Sequence, residues 1–439
     1  MNPRNSGTPS ARDAEPRPRR AARPAASRGT AAARDFDVVL YGATGFVGRQ
    51  TVAYFAAHAA GLRWALAGRS APRLEATREA AGPAAKDAGI VVADAADTRA
   101  LGALAARTRV VLSTAGPFAL YGSGLVGACV RHRTHYVDIT GETPWVRDLI
   151  ERHHAQARRD GTRIVPCCGF DSVPSDLGAW LVAHAMRRRH GGPCTRIKAC
   201  FSMRGGVNGG TLASALALMD SGDHALAADP FLLNPEGTVP GDAAAHTDPV
   251  APRHDADFDA WVGPFVMGPI NTRVVRRSVA LLAAAGDPAY APGFGYQEYL
   301  RVGRGPVGAA AAAGLSVGMG AARVAIGFAP WRRIVRAVLP GPGTGPSERR
   351  MDGGSFRCDL VGTDAAGHLV RGRIAGLGDP GNRATTRFVC EAAIALAGDV
   401  GTLPGGAGAG GVLTPATALG AVLAERLAAA GIIVEPLRD

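Results

Sequence analysis

Asp37-Val38-Val39-Leu40-Tyr41-Gly42-Ala43-Thr44-Gly45-Phe46-Val47-Gly48 is the stretch that decides how this chain is read. Its first five residues are mostly β-branched or large and apolar, which suits a strand buried on both faces. Gly42 permits a tight turn, Gly45 lets backbone come close to a pyrophosphate, and Gly48 lets the following helix lie against the strand. A helix opening at Phe46 presents unsatisfied N–H groups and a positive dipole end to an anion. The spacing is GxxGxxG rather than GxGxxG, so the pattern draws its weight from its position at the first βα turn of a longer series. Gly42, Thr44, Gly45, Phe46, Val47 and Gly48 are therefore the candidate phosphate-binding residues.

The series itself is readable. Short β-rich runs at 36–41, 63–67, 89–93, 109–113, 135–139 and 162–166 alternate with helical stretches such as 45–59, 97–107, 124–133 and 144–159. That alternation predicts βαβ units and a parallel sheet covered on both faces, and a further helix over 174–189 closes the block. From about residue 191 the rhythm changes. Segments 191–204 and 270–303 read as longer strands, with a polar, Pro-rich stretch over 233–256 between them. Residues 356–361 and 369–375 alternate like a hairpin, and 385–397 and 415–430 return to helical periodicity around a Gly-rich loop at 401–411. The expected fold class is α/β: a Rossmann-type doubly wound parallel sheet with an inserted second α+β domain of mixed sheet.

The second strand ends at Ala67-Gly68-Arg69-Ser70, where an NAD site would place an acid for the ribose 2′-hydroxyl. Arg69 stands there instead, followed by the neutral donor Ser70, and a guanidinium matches a 2′-phosphate in charge and fork geometry. NADP(H) is the expected cofactor. Asp94, ending the third strand, is a candidate for the adenine amine, with a plain turn role nearly as good a reading. The fourth strand runs into Ser113-Thr114-Ala115-Gly116-Pro117-Phe118, so Ala115, Gly116 and Pro117 are expected to wall the nicotinamide end. Tyr121 is the one candidate proton donor there, although an aromatic in such a loop more often packs. Ser172 or Ser175 with Asp176, beside Pro174, reads best as a helix N-cap. His132 and His135 cannot share a helical face, and His153–His154 lacks partners at metal spacing, so no metal site is expected.

The chain has 439 residues, 47% of them hydrophobic and 20% charged, which is globular composition and excludes wholesale disorder. The formal charge is +12, and half of it lies in residues 1–34, where eight Arg face only Asp13 and Glu15. Those residues read as a solvated basic tail. The remaining surplus is too dilute to argue for nucleic acid. Seven Cys without a CxxC suit reduced thiols, and no apolar signal segment opens the chain, so a cytoplasmic location is expected. Gly305–Ala322 is an uncharged run of 18 residues, mostly Ala and Gly. That composition is too weak for a membrane span and reads first as a tightly packed helix. The second reading is peripheral contact at the inner face of the plasma membrane through 305–336, with Trp331, Arg332, Arg333 and Arg336 alongside.

GATGFVG, WALAGRS, STAGPFALYG, HYVDITGE and CCGFDSVPSD stand here in the order and spacing of saccharopine dehydrogenase-like oxidoreductases. More narrowly the chain resembles the trans-acting enoyl reductase group, with Gly209-Gly210-Thr211, Gly378-Asp379-Pro380-Gly381 and the run from Gly411 to Ala416 also matching. The resemblance spans about residues 36–432. It implies an NADP-binding Rossmann domain over 35–190, a substrate or lipid-associated domain over 191–379, and C-terminal helices over 380–439 that return to the first domain. It also implies reduction of an enoyl double bond on a lipid-like acyl substrate, carrier- or synthase-bound, in glycolipid synthesis. Val207 departs from the Tyr that relatives often carry before Asn-Gly-Gly. Two alternatives stay open. A saccharopine-type amino-acid dehydrogenase would need a compact set of cations for its substrate carboxylates, and the sequence offers none beyond the tail and Arg187–Arg189. A non-catalytic NADP-binding scaffold at a lipid surface would keep the glycines and Arg69 but need no proton donor.

Overall fold

The computed structural model describes residues 34–205, 224–240, 242–326 and 343–437. Strand β1 (Phe36–Tyr41) lies inside a seven-stranded sheet, paired in parallel with β2 (Trp64–Gly68) on one side and the central β4 (Thr108–Ser113) on the other. β3 (Gly89–Val92) extends one edge. β5 (His135–Asp138), β6 (Arg163–Val165) and β13 (Gly411–Val412) extend the other, giving the order β13-β6-β5-β4-β1-β2-β3 with every pair parallel. Strand alternation sorts the side chains. Val38 and Leu40 face one apolar layer, with α1 (Phe46–His58) and α12 (Thr385–Ala397) over it. Val39 and Tyr41 face the other, beneath α3 (Thr98–Ala106), α5 (Ser123–His132) and α6 (Thr143–Asp160). Burial on both faces is why these strands read as continuous apolar runs.

The second sheet is mixed, in the order β14-β12-β11-β7-β10-β9-β8. Its centre is β7 (Cys194–Arg204), parallel to β10 (Tyr290–Gly303) and antiparallel to β11 (Ser355–Asp364). β12 (Leu369–Leu377) pairs with β11 as the predicted hairpin. Helix α7 (Val173–His190) joins the two sheets: it leaves the rim of the first and lies on β11 and β12 of the second. Small residues make that approach close, because a Cβ at Gly362 or Gly372 would sit 2.5 or 2.6 Å from Val182. One apolar cluster runs from Val38 through Val182 to Phe201 and Phe356, so both sheets share a core within the compact unit Arg34–Asp439.

Several expectations are corrected. Residues 270–303 are not one long strand: α9 (Gly268–Ala284) precedes β10. It is buried nearly all round from Asn271 to Ser278, Arg273, Arg276 and Arg277 included, so it lacks the polar face that marks a surface helix. Two short strands, β8 (Arg253–Asp255) and β9 (Ala260–Pro264), end the polar stretch, and β14 (Ile433–Pro436) edges the second sheet rather than the first. Arg34 is not tail. Its guanidinium donates to the carbonyls of Thr108 and His132 and to Thr134 Oγ1, the last two at 2.6 Å. Ser172 holds the N-cap position of α7, yet its hydroxyl donates to Asn271 Oδ1 instead of capping.

The run Gly305–Ala322 is also not a packed core helix. It forms α10 (Gly305–Ile326), and only 11% of that window is buried. Residues 1–33, Val207, Gly209–Thr211 and the group Trp331, Arg332, Arg333 and Arg336 lie outside the described residues.

Candidate active site

Parallel register places the ends of β1 to β5 along one edge. Tyr41 is level with Ala67 and with Ser113, Gly68 with Val92, and Ser113 with Asp138. The turns that follow therefore bring Gly42–Gly48, Arg69–Ser70, Asp94 and residues 115–117 to a common rim, where dinucleotides bind in such sheets.

The Gly turn fits a pyrophosphate by what it leaves out. Gly42 has φ +86°, and a Cβ there would sit 2.9 Å from the backbone nitrogen of Ala115. A Cβ at Gly48 would lie 2.1 Å from the carbonyl oxygen of Gly42, so only glycine lets α1 start this close to β1. Gly45 is the extended N-cap of α1 and caps with no side chain, and the first turn carries no acid. The N–H groups of Phe46, Val47 and Gly48 open an uncapped helix start, the arrangement that favours an anion. The Thr44 carbonyl accepts from Arg49 Nη1 at 3.0 Å, which steadies the turn.

Arg69 is exposed, and among the described residues it has no ion pair. Ser70 is the N-cap of α2 (Ala71–Ala80), again with no side-chain cap bond. Asp94 performs the turn role: its Oδ1 accepts the Ala96 N–H at 2.9 Å. Both charges act on Tyr41, whose phenol is pushed up to about 12, mainly by burial and then by Asp94, with Arg69 opposing.

The loop after β4 is held from two sides. Thr114 N–H donates to the Tyr41 carbonyl at 2.9 Å, which ties the loop to the Gly turn. Gly116–Pro117 is a cis peptide, and α4 (Phe118–Tyr121) follows. Glu142, just ahead of α6, accepts the N–H groups of Phe118 and Ala119 at 2.8 Å each. Glu142 ends the HYVDITGE run and carried no assigned role in the sequence; a carboxylate opposite the start of a short helix is the signal. Tyr121 ends α4 with its ring half exposed, beside the exposed Leu120.

Three buried carboxyls brace the rim from below. Asp138 Oδ1 accepts from Thr140 N and Cys167 N at 3.0 and 3.1 Å, and burial pushes its carboxyl up to about 7. It thereby holds Cys167, a non-glycine residue at φ +63°, in the turn that leads to α7. Glu298 on β10 accepts from Asn271 Nδ2 at 2.9 Å and from the Tyr296 hydroxyl at 2.7 Å, and burial again raises it to about 7. Asp176 accepts from Ser278 and from the Ala416 N–H, linking α7, α9 and α13 (Pro415–Ala429).

Two features had no sequence signal. The segment from Gly343 lies on α1: a Cβ at Gly345 would be 2.4 Å from the Phe46 ring. Beyond it, α11 (Glu348–Asp352) borders a cleft of about 480 Å³ lined by Arg204, Gly205, Ser347, Arg349, Arg350 and Gly353. Three arginines and, among the described lining residues, no carboxylate make that cleft suited to an anion. Among the described residues no cluster of His, Cys, Asp and Glu could hold a metal ion.

Residues 38–165 match the saccharopine dehydrogenase NADP binding domain family. A Mycobacterium tuberculosis (strain H37Rv) protein, provisionally named a trans-acting enoyl reductase, is 41% identical over 93% of this chain and 99% of its own length. The trans-acting enoyl reductases of Mycobacterium bovis (strain BCG) and Mycobacterium ulcerans are 38% and 37% identical, each over 93% of this chain and 99% of theirs. Among solved structures, apo saccharopine dehydrogenase (L-Glu forming) from Saccharomyces cerevisiae superposes with a TM-score of 0.48 at 13% identity, over 91% of this chain and 99% of that one. The chain belongs to the trans-acting enoyl reductase family, NADP-dependent oxidoreductases that carry a saccharopine dehydrogenase-type NADP-binding domain.

Proposed function

We propose that the protein reduces an enoyl double bond in a lipid-like acyl chain held on a carrier or synthase, with NADPH preferred over NADH. The observation that carries the cofactor half is the open start of α1 together with an exposed Arg69 where an NAD site would have an acid. The relatives support the reaction half.

When bound, the cofactor supplies a hydride for the β-carbon of a conjugated double bond. The chain does the rest. The Gly turn and the first turn of α1 bind the phosphates, and Arg69 takes the 2′-phosphate. Residues 114–118, fixed by Tyr41 and Glu142, form a stiff wall beside the reacting atoms. Tyr121 stands at the open side of that wall and is assigned delivery of a proton to the α-carbon. The exposed Leu120 offers apolar surface for a chain, and the Arg204, Arg349 and Arg350 cleft suits the phosphate of a carrier arm.

The saccharopine-type alternative needs free cations. Sequence reading found no compact set, but α9 holds one in Arg273, Arg276 and Arg277. These three are occupied: they donate to backbone carbonyls of Asp229, Pro230, Leu233 and Val412, and Arg273 also pairs with Asp248. The arginine set left for such carboxylates among the described residues is the Arg204, Arg349 and Arg350 cleft, which the proposed reaction gives to a carrier phosphate. An untargeted lipid comparison of a deletion strain tests the reading. Unsaturated precursors should accumulate and disappear on complementation; an unchanged lipid profile would leave a non-catalytic scaffold as the better account.

A further inference from the structure

Helix α10 is the largest feature that the proposed reaction does not use. Its 18-residue window Gly305–Ala322 has no charged residue, yet only 11% of it is buried. Val307, Val317 and Val324 are 82%, 72% and 66% exposed. A narrow line holds the helix to the second sheet. Ala312 is buried, Leu315 rests where a Cβ on Gly263 would be 3.0 Å away, and Gly308 lies against the backbone of Gly303. The rest of the helix shows water an apolar face of Ala, Gly and Val, which a soluble surface helix normally covers with polar side chains.

The charge along this stretch of sequence has one sign. Residues 299–347 contain no Asp or Glu and six Arg: Arg301, Arg304, Arg323, Arg332, Arg333 and Arg336. The two before the helix are matched, Arg304 with Asp259 at 3.1 Å and Arg301 with Asp359 at 4.0 Å. The surplus therefore lies at and beyond its C-terminal end in sequence. An uncharged helix followed in sequence by an acid-free stretch with four Arg complements a surface that is apolar inside and anionic at its edge. A second copy of this chain would bring the same acid-free stretch and set arginine against arginine.

We infer that α10 is a contact surface for an anionic lipid bilayer, on which its exposed Val and Ala face lies at headgroup depth. Small side chains limit the depth, so the contact is reversible and salt-sensitive and does not span. The inference stands on the exposure of α10 and the local charge, independently of the enoyl reductase reading.

The test is co-sedimentation of the full chain, without cofactor or acyl substrate, with vesicles of phosphatidylcholine alone or mixed with phosphatidylglycerol. The bound fraction should be about five-fold or more higher on the anionic vesicles at low salt and should fall as salt rises. The variant Val307→Glu/Val317→Glu/Val324→Glu changes only exposed positions, and its NADPH titration reports whether it is folded. It should lose most of the binding, again about five-fold or more. No binding by the parent chain at low salt would overturn the inference, and so would unchanged binding by the variant. A solution dimer that the same variant dissociates would overturn it too, since the face would then belong to a second copy. Turnover of a soluble enoyl thioester should be unaffected in the variant, which separates failure of this inference from failure of the proposed reaction.

Discussion

The carboxylate of Glu142 and the backbone N–H of Phe118 lie 2.8 Å apart, with the Ala119 N–H at the same distance from the second oxygen. One residue from the β5–α6 turn thus fixes the loop that ends β4. A buried carboxylate on two backbone donors makes charge-assisted bonds, and its removal leaves both donors without it. Glu142→Ala should cost about 2–4 kcal/mol of stability. It should lower turnover more than NADPH affinity, because the proposed function sets Pro117 and Phe118 at the reacting end while the Gly turn holds the phosphates. Urea unfolding and steady-state kinetics check this; a stability loss below about 0.5 kcal/mol would show that the pair does not hold the loop.

Arg69 should set cofactor choice. Losing a charge-assisted contact to a phosphate is worth about 1.5–3 kcal/mol, so Arg69→Ala should weaken NADPH binding roughly 10- to 100-fold. NADH binding should barely change. Fluorescence titration of both cofactors reads the ratio. Equal affinities in the parent chain would remove the role from Arg69 altogether.

Asp138 makes stability depend on pH in a stated direction. Its carboxyl is held up to about 7 by burial, whereas in the unfolded chain it ionises near about 3.9. The folded state therefore holds an extra proton across that window, and the residue's contribution to stability falls as pH rises through it. Asp138→Asn mimics the neutral carboxyl, keeps an acceptor for Thr140 and Cys167, and does not titrate. Relative to the parent it should gain about 2 kcal/mol between about pH 5 and pH 7. His135, lowered to about 4 by burial, contributes the opposite slope but does so in both proteins. Parallel pH profiles for the two would contradict the assignment.

A chain beginning at Arg34 should bind NADPH as the full chain does, with stability within about 0.5 kcal/mol. Adding Arg34→Ala should then cost about 1–3 kcal/mol, because the guanidinium serves the carbonyls of Thr108 and His132. Thermal melts of the two truncations separate tail from fold. Loss of cofactor binding in the first would show that residues 1–33 contribute to it.

Much of this was legible before the fold was known. The GATGFVG turn and the alternation up to residue 190 reflect local rules: strands buried on both faces, and helices with one apolar face. What stayed hidden depends on distant partners. Nothing near Arg273, Arg276 and Arg277 signals that carbonyls from the 229–233 segment will cover them, so α9 read as strand. Gly411–Val412 is a strand only because β6 lies beside it. Glu142 was visible only as the last residue of HYVDITGE, because its partners are 24 and 23 residues away. The exposure of α10 was misread because Ala and Gly in sequence suit tight packing as well as an open face.

The most direct test of the account is hydride transfer followed by mass. The protein is given NADPH deuterated at the transferred position and a 2-enoyl thioester. The account predicts a saturated thioester carrying one deuterium at the β-carbon, formed much more slowly with NADH. Tyr121→Phe should lower the rate with the label still in the same place. A saturated product without deuterium, or no saturated product from any enoyl thioester while cofactor binds normally, would contradict it.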